Sequence, residues 1–180
     1  MQTLKQPTKH PEIEAGEIEK LLSIIQPAPL LRIGHFSDEG ETLPALLNQF
    51  CDREGYAYLL NCTTTDYHER LHSRYNSEPA CTIKLFDLAR PNYMQHGKFY
   101  DYLFVTSEIA ASQRASFLQK SHKVIKNAGL ILIFLPSSAT EETAWWYELL
   151  EEYYFVATNT IVLDNYWSVV ISKKMHGWGG

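Results

Sequence analysis

The sharpest short pattern in this sequence is His68-Glu69-Arg70-Leu71-His72, which matches H-E-x-x-H. On a helix, histidines at i and i+4 share one face and can bind zinc, and the glutamate between them can activate a water. The surroundings argue against that chemistry. Arg70 sits at an inner position, Tyr67, Arg74 and Asn76 flank the rest, and no further histidine or glutamate motif follows to complete a ligand set. Glu69 is also placed to close a capping box with Asp66 or a neighbouring threonine. Zinc hydrolysis is therefore a minor alternative, and no metal is expected. A second chemistry is suggested by Gly34 and Gly40, which bound a polar turn between an apolar run, Leu30 to Ile33, and a helical pattern. Backbone N–H groups of such a turn, with the helix N-terminus, can face an anionic or nucleotide ligand. Two glycines six positions apart are not G-x-G-x-x-G, and a flexible loop without a ligand is the alternative. Cys51, Cys62 and Cys81 form no C-x-x-C pair and read as small core residues in a reducing compartment, the alternatives being a metal site or a nucleophilic thiol.

Hydrophobic periodicity supplies the elements that would position these groups. Leu43, Leu46, Leu47 and Phe50 fall on one helical face, with Pro44 tolerable in the first turn. Upstream, Ile18, Leu21, Leu22 and Ile25 make a helical stripe within 13–25, ended by Pro27 and Pro29. Downstream, strands are expected at 56–62, 81–88, 99–106 and 130–135, and helices at 63–75, 112–127 and 141–152. The helix at 112–127 should be stopped by Ala128-Gly129, and the one at 141–152 capped by Ser138 or Thr140. Pro91 and Gly97 leave little room for a long helix before the fourth strand. Two last strands, 154–163 and 167–173, flank the turn Asp164-Asn165. This alternation predicts an α/β domain, a mostly parallel sheet with helices on both faces and a C-terminal antiparallel hairpin.

Composition bounds the rest. The 180 residues suit one domain, expected over 12–174, with a flexible polar N-terminus at 1–11 and a Gly/Trp tail at 175–180. That tail is either a mobile Trp anchor or a disordered end. Eleven Tyr, eight Phe and four Trp make extensive disorder improbable, and Trp145-Trp146-Tyr147 and Tyr153-Tyr154-Phe155 read as packing rather than a ligand cage. Net charge is −5 without a basic stripe, so nucleic acid is disfavoured as a partner. No apolar run approaches the roughly 20 residues of a membrane span, and no apolar signal core opens the chain. A cytoplasmic protein with no membrane partner is expected.

The order of elements and the closing hairpin resemble the class I S-adenosylmethionine-dependent methyltransferase family, a Rossmann-like fold. LLRIGHFSDEGETL (30–43) resembles its first motif, IKLFDL (83–88) its third strand with a terminal acidic residue, and GKFYDYLFVTSEI (97–109) its fourth strand. KSHKVIKNAGLILIFLP (120–136) is similar to its following helix and fifth strand, and the likeness covers about 25–174. The resemblance implies S-adenosylmethionine as cofactor and a small-molecule acceptor of unidentified structure. It would lay the turn from Gly34, His35 and Phe36 to Gly40 against the methionine part, Asn61 against the ribose, Asp87 and Leu88 near the adenine, and Thr106 beside the cofactor. Glu108 would be the candidate base. In this chain Arg32 replaces an acidic residue in the first strand, Phe36 the second glycine, and Asn61 the ribose-binding carboxylate. A catalytically inactive member serving as a binding or interaction module is the alternative. A homodimer through the edge of the hairpin is a further expectation.

Overall fold

The computed structural model describes residues 8–93 and 99–175, so Gly97 and nearly all of the Gly/Trp tail lie outside the described residues. The strands are β1 (Arg32–Ser37), β2 (Ala57–Cys62), β3 (Cys81–Leu85), β4 (Tyr100–Val105), β5 (Ile125–Pro136), β6 (Phe155–Val162) and β7 (Trp167–Lys174). They form one sheet in the order β3-β2-β1-β4-β5-β7-β6. Pairing is parallel from β3 to β5, and β7 lies antiparallel to both β5 and β6. The helices are α1 (Ala15–Leu22), α2 (Thr42–Glu54), α3 (Thr65–Tyr75), α4 (Arg114–Val124) and α5 (Thr140–Glu152).

Strand alternation divides the core into two layers. Ile33, Tyr58, Leu60 and Phe104 point to the face covered by α1, α2 and α3, whose Ile18, Leu47 and Leu71 complete that layer. Phe36, Leu103, Val105 and Ile133 point to the other face, against Phe117 and Leu118 of α4 and Trp146 and Leu150 of α5. The three cysteines are free and buried, and burial pushes each thiol up to about 12, which suits core residues better than nucleophiles.

Several boundaries differ from the sequence expectation. β1 does not stop at Ile33; it runs through Gly34 to Ser37 because β2 and β4 pair with it on both sides, and the turn begins only at Asp38. α4 ends at Val124 rather than at 127, since Ile125 is fully buried and pairs with Tyr100 at the start of β5. Lys174 donates to the Ile125 carbonyl there at 2.8 Å. β3 ends at Leu85, and Phe86 to Leu88 belong to the following turn. Thr64 is the N-cap of α3 and makes no side-chain cap, so Glu69 lies beyond the position that would close a capping box. α5 likewise starts from Ala139, not from a Ser138 or Thr140 cap. The first turn of α2 is served from a distance: the Glu12 carboxylate accepts from Glu41 N–H at 2.8 Å and Thr42 N–H at 3.1 Å. Among the described residues, no helix is long and apolar enough to cross a membrane.

Candidate functional site

β1 and β4 are neighbours although β2 and β3 intervene in the chain, so the connections leave β1 and β4 in opposite directions. Such a switch point opens a crevice at the carboxyl ends of the strands. Here the crevice has a volume of about 410 Å³, and Asp38, Glu39, Glu108, Arg114, Trp146 and Trp167 are among its lining. Asp38 is half-buried, and its carboxylate accepts the Glu108 N–H at 3.0 Å. Burial raises its pKa above the ordinary aspartate value. Glu108 is ionised more readily than usual because Lys9 hydrogen-bonds its carboxylate. On the far wall Arg114, nearly buried, donates to Glu142 at 2.8 Å and lies 5.4 Å from the centre of the Trp146 ring.

The segment before α1 crosses this opening. Lys9 N–H donates to Glu39 at 2.7 Å, His10 Nδ1 lies 2.6 Å from the Tyr166 hydroxyl, and Trp167 Nε1–H donates to the Pro11 carbonyl at 2.9 Å. Beneath it, a cavity of about 30 Å³ touches His35 and Thr106. His35 is fully buried; its Nδ1 lies 2.8 Å from the Tyr58 hydroxyl and its Nε2 2.8 Å from Thr106 Oγ1. One tautomer gives every donor an acceptor. Tyr58 donates to Nδ1, Nε2–H donates to Thr106, Thr106 to Ser37 at 3.0 Å, Ser37 to the Glu39 carbonyl at 3.0 Å, and Tyr67 to the Gly40 carbonyl at 2.6 Å. The opposite tautomer would leave the Tyr58 O–H without an acceptor among these groups. Burial lowers the His35 pKa to about 3, so the ring is neutral.

The residues expected at a cofactor site therefore separate. Thr106, Glu108 and Gly40 lie at the switch point, together with Asp38 and Glu39 of the expected turn and with Arg114, Trp146 and Trp167, which sequence reasoning did not select. Gly34 lies within β1, where a Cβ would come within 2.6 Å of the Tyr100 ring; it is a packing glycine rather than the start of a turn. Gly40 does occupy the turn, with φ of 86°. Phe36 is fully buried, its ring 5.0 Å from Phe86, 5.5 Å from Tyr93 and 5.8 Å from Phe117. Asn61, 3% exposed, donates to the Tyr100 hydroxyl at 3.3 Å and to the Leu59 carbonyl at 3.4 Å. Asp87 is exposed and accepts the Ala89 N–H at 2.9 Å as a turn cap, while the Leu88 carbonyl accepts from Tyr93 and Lys120. Arg32 stands at the opposite end of β1, its guanidinium 4.3 Å from the Phe99 ring centre.

Among the described residues, the H-E-x-x-H pattern gains no further metal-ligating side chain. His68 is half-buried, Glu69, Arg70 and His72 are exposed on α3, and among the described residues no three His, Cys, Asp or Glu gather to hold a metal.

No protein-family model matches the sequence, and no curated protein matches it either. Solved structures do share its architecture. The chain is similar to the CMeT domain of the citrinin polyketide synthase, with a TM-score of 0.69 and 11% identity over 88% of this chain and 51% of that one. It is similar to the CurJ carbon methyltransferase, with a TM-score of 0.68 and 9% identity over 88% and 52%. For a TehB-like S-adenosylmethionine-dependent methyltransferase from Corynebacterium glutamicum the TM-score is 0.67, with 14% identity over 88% and 87%. The chain thus spans about half the length of the first two. At these identities the likeness establishes the fold, and the fold is that of the class I S-adenosylmethionine-dependent methyltransferases.

That fold implies an adenosyl cofactor, and the residues present do not fit its adenosyl half. The Phe36 side chain fills the position where a glycine would let a ligand approach the backbone, and Phe86, Tyr93 and Phe117 close around it. At the ribose position the Asn61 amide is engaged by Tyr100, and neither glycine needs a ligand to account for it. The crevice beyond, at Asp38, Thr106 and Glu108, is open, as are smaller hollows beside Leu88 and Tyr93 and beside Asn61 and Tyr100.

Proposed function

We propose that this chain is a methyltransferase-fold binding module that takes a small molecule in the crevice between β1 and β4, without S-adenosylmethionine bound in the manner of the fold. The observation that supports this reading is the four-ring cluster around Phe36, set beside an open crevice of about 410 Å³. A volume of that size suits a small organic ligand, typical sites spanning roughly 300–1,000 Å³. Calorimetric titration of the purified protein with S-adenosylmethionine and S-adenosylhomocysteine tests it. The expected result is no heat from either at millimolar ligand. Micromolar binding of both, lost in Asp87→Ala, overturns the reading.

A second reading is favoured by one observation: Glu108 opens on the crevice with its pKa held below the usual glutamate value by Lys9. An ionised carboxylate there could take a proton from a hydroxyl or amine acceptor, as a methyltransferase acting on an unidentified small molecule would require. The same titration separates the two readings, since a transferase must bind the methyl donor.

A further inference from the structure

We propose that residues 9–12 are an intramolecular strap that closes over the site as one unit and must lift before a ligand reaches the turn at Gly40. The inference rests on the reading of the crevice as a binding site and adds how entry to it is controlled. The turn at Gly40 is where a ligand would meet the backbone of this fold, and here His10, Pro11 and Glu12 lie over it, with His35 and Thr106 beneath. The space left between them is the cavity of about 30 Å³, large enough for water and too small for an organic ligand. That cavity and the crevice share His10, Glu39, Thr106 and Trp167 among their walls, so the two volumes are neighbours. Lifting residues 9–12 removes the cover of the first and part of the rim of the second, and joins them.

The fastenings of the strap all run to residues remote in sequence. Lys9 bonds Glu39 through its N–H and Glu108 through its side chain, and His10 bonds Tyr166. The Pro11 carbonyl accepts from Trp167, and the Glu12 carboxylate accepts from the Glu41 and Thr42 N–H groups. No helix or strand contains these four residues, and Lys9, Pro11 and Glu12 are exposed. Burial begins at Ile13, which fixes the point about which the strap turns. A handful of hydrogen bonds to water-exposed groups offsets the backbone entropy of ordering four residues and leaves little over. The Lys9–Glu108 pair adds little, with side chains 61% and 65% exposed. Such a segment opens without the core, as the low-stability parts of a fold do.

The test needs no ligand. In the full-length protein, hydrogen exchange of the Glu41 and Thr42 amides reports release of Glu12, and the amides of β1 report unfolding of the core. Glu41 and Thr42 should exchange at least about tenfold faster than β1. Lys9→Ala should speed them a further two- to fivefold, about the yield of one exposed ion pair, although Lys9 bonds neither amide; β1 should not change. A second measurement reads access to the cavity, which Leu43 lines from α2. The thiol of Leu43→Cys should be alkylated by iodoacetamide faster than the buried Cys51, Cys62 and Cys81, which serve as internal standards for unfolding. Adding Glu12→Ala, which removes two fastenings, should raise that rate about tenfold. If Leu43→Cys does not melt cooperatively, the exchange rates decide alone. Glu41 and Thr42 exchanging only with β1, unchanged rates in Lys9→Ala, or a thiol in folded Leu43→Cys no more reactive than the three buried ones would overturn the proposal. The two readings fail separately: S-adenosylmethionine titration decides the previous one, and these rates, measured without ligand, decide this one.

Discussion

The buried His35 gives the protein a pH dependence whose size and sign follow from its surroundings. In the folded chain its pKa is about 3, because burial disfavours the imidazolium. Unfolded, the ring returns to about 6.5. Between those values the unfolded state binds one proton more than the folded state, so stability rises with pH. The contribution is fully present above about pH 6.5 and declines as pH falls, by about 1.4 kcal/mol for each unit, until about pH 3. Between pH 6.5 and pH 4.5 it amounts to about 2.7 kcal/mol, a large fraction of the stability of an ordinary domain. Asp38, whose pKa is raised by burial, contributes with the opposite sign at lower pH. It is common to both proteins in a comparison with His35→Gln, and so cancels. Urea unfolding of wild type and His35→Gln from pH 7.5 to 4.5 measures the effect. The variant is expected to be less stable at pH 7.5, through disturbed bonds to Tyr58 and Thr106, yet to lose less stability on acidification. Parallel slopes in the two proteins, or an imidazole resonance for His35 titrating near pH 6, would refute the reasoning.

Two further outcomes are expected. Gly34→Ala should destabilise the fold by about 1–3 kcal/mol, since the new methyl group meets the Tyr100 ring, and Tyr100→Leu should reduce that cost in the double variant. Urea midpoints of the four proteins measure the coupling, and a neutral Gly34→Ala would refute the packing role. Chelator treatment should leave the melting temperature unchanged in both wild type and His68→Ala, because among the described residues the pair His68 and His72 has no third ligand; a chelator-induced fall in wild type alone would restore a zinc role.

The order of strands and helices was legible because each element carries its own periodicity. The continuous apolar run of β5 and the hairpin around Asp164, whose carboxylate accepts from Tyr166 and Trp167 N–H, were both marked locally. The crevice was not, because its walls come from 9–10, 38–39, Thr64, 106–114, 133–146 and Trp167, which only the crossover brings together. His35 shows how a residue can look like a cofactor contact and be something else. It follows a glycine of the expected turn, but β1 continues through it, and the pleat turns its side chain away from Gly34 and Phe36 into the opposite layer. Lys9 and His10 fell in a polar segment with no periodic signal, and their partners Glu39, Glu108 and Tyr166 are remote in sequence.

Gly34 and the departures at Phe36 and Asn61 are parts of one packing solution. Gly34 and Phe36 share the face of β1 on which Tyr100 and Phe86 lie, and the Tyr100 hydroxyl accepts from Asn61 on the neighbouring strand. A carboxylate at position 61 would be as buried as the amide it replaced, with Tyr100 a single neutral donor to offset its lost hydration, so the amide costs less. Restoring a glycine at 36 alone would leave a cavity among Phe86, Tyr93 and Phe117 rather than a cofactor slot, because those rings converge on it from three different segments. At positions 36 and 61 the space and the polar group that this fold can lend to an adenosyl ligand are taken up by the protein's own side chains. In the acidic crevice one strand away, by contrast, Asp38 and Glu108 still face open volume.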